Sequence, residues 1–175
     1  MNDIKNYVKA HTPPDFSMIL DSGFPFGVGN KGILWLSTLT DYAFEDIEDA
    51  YGGESINIIL GSVRLTLRYS EELLSELSDK DGVNATVENG KIILEAHGVS
   101  THGALPEGSK NAMLVAIDAL CACKSFSEND KAQLGFVREL LCGYYGQALG
   151  IGSEDAPFGK LTFTNGKVRM ENGRL

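Results

Sequence analysis

The chain is short of cations and has no long apolar run, and each shortage closes off a class of function. Lysine and arginine number 15 against 24 aspartates and glutamates, giving a net charge of −9. Nucleic-acid binding rests on basic patches that neutralise phosphates, so so acidic a chain argues against that partner. No apolar stretch approaches the roughly 20 residues of a membrane-spanning helix. Met1–Tyr7 lacks the apolar stretch of a secretion signal. The cysteines are Cys121, Cys123 and Cys142. An odd count without a secretion signal points to the reducing cytoplasm. Cys121 and Cys123, two apart on a predicted helix, face different ways and read as buried free thiols.

What is there suffices for a core. With 43% hydrophobic residues over 175 positions, the chain can form one domain or two small lobes. Residues 1–30 read as a short helix followed by a Pro/Gly-rich loop, and Ile33–Leu39 as a short strand. The acidic stretch Asp41–Asp49 reads as a solvated loop or short helix. Ser62–Tyr69 alternates, with Val63, Leu65, Leu67 and Tyr69 on one face, which predicts an antiparallel strand wetted on the other. Ser70 predicts the cap of a helix opened by Glu71 and Glu72. Val83–His97 predicts a β-hairpin, because Asn89-Gly90 suits the two positive φ angles of a type I′ turn. Helices follow over about 110–124, capped by Ser109, and over about 129–142, with Ser127 and Asp130 resembling a capping box. Leu161–Met170 reads as a hairpin about Asn165-Gly166, and the chain ends where a further strand is expected. This order predicts an α+β fold with helices on one face of an antiparallel sheet, ferredoxin-like with an added helix.

Gly98–Met113 leaves a strand, turns through glycines and a proline, and opens a helix. His102 sits in that turn, where flanking elements fix the backbone and an imidazole can donate to a substrate or oxyanion. Taken alone, it reads rather as the histidine of an ordinary surface loop that caps local carbonyls. Its surroundings change the balance. The stretch resembles the lid (dimerisation) domain signature of the aminoacylase/carboxypeptidase-type zinc metallopeptidases, Gly-x-x-x-His-x-x-x-Pro-x-x-Gly-x-Asn-Ala. Gly98, His102, Pro106, Asn111 and Ala112 match in register, while Ser109 replaces the last glycine. Asp21–Pro25 with Gly29–Ile33, Gly52–Asn57, and Leu149–Thr162 resemble further segments of the dipeptidase V branch, in the same order. Asn30 stands for a glutamate, and the proline expected after Asn57 is missing.

That resemblance implies a domain division. Residues 1–30 would be the edge of a catalytic domain with a linker, and 31–175 a lid domain truncated at its C-terminal end. It implies that Asp21 is one ligand of a pair of catalytic zinc ions. His102 would bind the scissile carbonyl or its oxyanion, and Asn57 would help to hold the substrate. The rest of a two-zinc site is missing from the sequence. The histidines are His11, His97 and His102, there is no His-x-Asp, and Glu71-Glu72 follows Asp21 where the family's glutamate pair precedes it. The expected function is therefore the lid of a zinc-dependent dipeptidase that hydrolyses short peptides and is inactive as an isolated chain. Its expected partners are the catalytic domain of the same polypeptide and the peptide, with a homodimer left open. The alternative is a stand-alone ferredoxin-like binding or oligomerisation module without catalysis.

Overall fold

The computed structural model describes residues 3–16, 29 and 31–175. The chain divides into two units, Met1–Leu34 and Trp35–Leu175. The first contains α1 (Asp3–Ala10), at whose end the His11 ring stacks on Tyr7, with centroids 4.3 Å apart.

The second unit is built on a sheet of β1 (Ile47–Gly52), β2 (Ser62–Arg68), β3 (Val83–Glu88), β4 (Lys91–His97) and β7 (Val168–Arg169), in the order β3-β4-β2-β1-β7. Every neighbouring pair is antiparallel. α2 (Glu71–Ser78) links β2 to β3, which run parallel with β4 between them. This split β-α-β arrangement is the ferredoxin-like core. The place beside β2 belongs to β1, which precedes β2 in the chain. α3 (Ala112–Cys121) crosses β2 and β4, and α4 (Glu128–Leu141) packs on α3 as the added helix. A small ladder of β5 (Glu154–Asp155) and β6 (Gly159–Lys160) lies apart.

Alternation puts the helices on one face. Ala50, Leu65, Leu94 and Ala85 align across the sheet on the covered side, packed with Leu73, Leu77, Met113, Ile117 and Leu120 in one core. The next row, Tyr51, Arg64, Glu95 and Asn84, faces the open side. There Arg64 pairs with Glu88 at 2.7 Å and Glu95 at 3.1 Å, both exposed and worth at most about 1 kcal/mol each. The burial of large side chains dominates, at roughly 1.5–3 kcal/mol apiece.

Several local signals stand in the structure. Ser70 caps α2 by accepting from Leu73 N, and Asn89-Gly90 turns with φ of 52° and 74°. Elsewhere the structure corrects the expectation. Ile33–Leu39 forms no strand and its large side chains are exposed, Trp35 by 72%. The acidic stretch instead runs into β1, with a bulge between Ile47 and Asp49 that lets Ile47 and Ala50 both face the core. The cap of α3 is Asn111, whose Oδ1 accepts from Met113 N at 2.9 Å, while Ser109 Oγ donates to Pro106 O. Ser127 caps α4 as expected. The Asp130 side chain does not return to it but accepts from Glu45 N and Asp46 N, each at 2.8 Å. No hairpin forms about Asn165-Gly166; the positive-φ pair is Asn172-Gly173, closing a turn between Glu171 and Arg174. Cys123 is buried and Cys121 half-buried, both are free, and burial pushes both thiols up, while Cys142 is exposed.

Candidate functional site

β4 ends at His97, and the chain turns sharply because Gly98 passes against the backbone of Lys110. A Cβ there would stand 1.9 Å from Lys110 O. Val99 and Lys110 bridge across the turn, and Ala112, fully buried, donates to Leu60 O at 2.8 Å. Pro106 is buried and its carbonyl accepts from Ser109. Gly98, Pro106, Asn111 and Ala112 thus each build the corner. His102 is left with its ring exposed and no part in the core.

A second backbone segment comes alongside. Ile58 bridges His102, Ile59 N donates to Thr101 O at 2.9 Å, and Gly103 N donates to Asn57 O at 2.7 Å. This brings the exposed side chain of Asn57 to the imidazole, with Asn57 Nδ2 3.4 Å from His102 Nε2. The ring's other nitrogen, Nδ1, accepts from Ala104 N at 3.1 Å, so the neutral imidazole carries its proton on Nε2. Ser55 Oγ donates to Asn57 Oδ1, which turns the amide NH2 toward the ring. Two donors therefore face one another and neither can satisfy the other. An oxygen acceptor placed between them would take both, which is the arrangement an anion or a carbonyl oxygen requires. Thr101 Oγ1, one residue before His102, is buried with no hydrogen-bond partner.

Sequence reasoning singled out His102 and Asn57 and missed their supports. Ser55, two residues before Asn57, fixes its amide. Gly103 is buried against Asn57 O and the Thr164 hydroxyl, which would lie 2.7 Å from any Cβ at Gly103. A glycine directly after the histidine was the available signal for the second. Asp21 lies outside the described residues. Among those described, no group of three His, Cys, Asp or Glu side chains is placed to hold a metal ion. His97 ends β4 on the open face, while His102 has Nδ1 committed to Ala104. The described residues therefore do not fit a zinc pair.

A groove of about 650 Å³ lies on the open face of the sheet, lined by Tyr51, Arg64, Glu95, His97 and Ser100 among others. It includes neither His102 nor Asn57, but Ser55 and Ile58, which contact those two residues, are on its wall. Among the described residues no helix is long and apolar enough to cross a membrane.

No protein-family model matches the chain. Among curated proteins it is similar to the Bacillus subtilis (strain 168) protein named "Putative dipeptidase YtjP", with 26% identity over 189 aligned positions. The alignment takes in 98% of this chain but only 40% of the length of that relative.

Proposed function

We propose that this chain is the lid portion of a zinc-dependent dipeptidase, which closes over a catalytic domain and lends it His102 and Asn57. The observation that carries the reading is the pair of convergent donors, His102 Nε2 and Asn57 Nδ2, exposed at a corner whose other matched residues all serve the backbone. The similarity of nearly the whole chain to 40% of the length of a protein named "Putative dipeptidase YtjP" supports the same reaction class. In this reading a short peptide lies with its scissile carbonyl oxygen between the two donors. Water adds to the carbonyl carbon, negative charge gathers on that oxygen, and the C–N bond breaks as the amine leaves with a proton. One donor aimed at the developing charge is worth roughly 3–4 kcal/mol. Delivery from a separate lobe couples substrate binding to exclusion of water. The zinc ions belong to the proposal as groups held outside the described residues, and the isolated chain is inactive.

The test compares dipeptide hydrolysis by the protein carrying the catalytic domain with that of its His102→Ala variant. Turnover falls by about a hundredfold or more, with the melting temperature nearly unchanged. Unaltered turnover would remove His102 from the reaction. Chelator-sensitive hydrolysis by the 175-residue chain alone would overturn the lid role.

A further inference from the structure

We infer that Tyr144 and Tyr145 are positioning residues for His102: from the turn after α4 they clamp the far side of the His102–Ser109 loop and so set the angle of the imidazole. The inference rests on the role proposed above for His102. The near side of this loop is secured by main-chain bonds to Asn57 and by the Ile58 bridge. On its far side, short of the Val99–Lys110 bridge that follows Ser109, the main-chain bonds of the loop are its own turns, Leu105 N to His102 O at 2.8 Å and Ser109 N to Pro106 O at 3.1 Å. Gly103 and Pro106 are buried, but Ala104, Leu105, Glu107 and Gly108 are exposed, so the stretch between and beyond those two has little packing of its own.

The tyrosines supply what is missing. Tyr144 Oη donates to Ser109 O at 3.1 Å, and Tyr145 Oη donates to the Glu107 carboxylate. That hydroxyl holds the Glu107 carboxyl below the ordinary carboxylate range and is itself raised by the bond. The clamp is anchored in turn. Phe163 N donates to Tyr144 O at 2.7 Å, and the neighbouring Thr164 hydroxyl lies beside Gly103. Gly146 is buried so tightly that a Cβ would meet Ile151 at 2.5 Å. Two segments joined by the Phe163–Tyr144 bond therefore touch the loop, Thr164 beside Gly103 directly after the histidine and the tyrosines at Glu107 and Ser109. Orientation matters because a displacement of about 1 Å in a catalytic group can cost up to a hundredfold in rate.

Ring nitrogen-15 shifts of His102 in the chain, compared with Tyr145→Phe and Tyr144→Phe, test this. The intact chain shows a protonated Nε2 and a bare Nδ1. In Tyr145→Phe the two shifts move toward each other as the Ala104 contact loosens, while amide protection in β2 and β4 stays as it was. Unmoved ring shifts, or a loss of protection spread through the sheet, would overturn the inference. In the protein with its catalytic domain, Tyr145→Phe lowers kcat by about tenfold with KM little changed, and lowers it no further when His102 is already alanine. A full additional loss in that background would sink the positioning role. Unchanged hydrolysis in His102→Ala, with ring shifts that still respond to Tyr145→Phe, would overturn the catalytic reading and leave the clamp standing.

Discussion

His102 and Asn57 lie 45 positions apart in the chain, yet their side-chain nitrogens approach to 3.4 Å because their main chains pair across the corner. Ala104 N and Ser55 Oγ settle which atoms face each other, and both turn out to be donors. A pair with unmet donors is preorganised for an oxygen that the described residues do not provide.

Asn57→Asp tests that polarity. It exchanges a donor for a carboxylate at the same place and size, so the site would repel an oxyanion. Turnover in the dipeptidase assay drops further than in Asn57→Ala, although both side chains are exposed and stability changes by no more than about 0.5 kcal/mol. Equal losses in the two variants would show that only the volume of Asn57 matters.

Asp130 is fully buried and is the joint between α4 and the turn entering β1. Asp46 answers it by accepting from Ser127 N at 2.8 Å, so each segment satisfies main-chain donors of the other. Asp130→Ala leaves two part-buried N–H groups without their acceptor and lowers unfolding free energy by about 2 kcal/mol in urea titration. A loss below roughly 1 kcal/mol would mean that water replaces the carboxylate without penalty.

Gly53 and Gly90 both have positive φ, at 71° and 74°, but their surroundings differ. A Cβ at Gly53 would stand 1.8 Å from Gly166 O, whereas at Gly90 it meets nothing within 4 Å. Gly90→Ala therefore costs about 1 kcal/mol, for the backbone angle alone. Gly53→Ala costs well over that, since the 166 loop must move, and thermal melts of the two variants rank them directly.

Glu107, Glu45, Glu72 and Glu76 all have pKa values held below the ordinary carboxylate value. Their main causes are the Tyr145 hydroxyl, Asn129, the first-turn N–H of Glu72 itself, and Ser125 N, respectively. A folded pKa below the unfolded one adds stability that is present above the unfolded pKa and is lost as pH falls through the folded pKa. The chain accordingly loses stability on the acid side of the carboxylate range. Tyr145→Phe removes the Glu107 part, seen as an upward move of that carboxyl's NMR titration. A Glu107 titration that does not move in the variant would show that Tyr145 does not hold it.

What neighbours in the chain can decide was largely legible in the order of residues. The alternation of Val63, Leu65 and Leu67, the Ser70 cap, the Asn89-Gly90 turn and the corner carrying His102 each need only a few adjacent residues, and each stands in the structure. Tertiary structure decided the rest, because a strand is stable only with a ladder beside it. The apolar Ile33–Leu39 has strand propensity and no pairing among the described residues, while acidic Ile47–Gly52 becomes β1 between β2 and β7. The meeting of Asn57 with His102, and of the tyrosine pair with its loop, depends on chain segments brought together by the shared core, which no local pattern encodes.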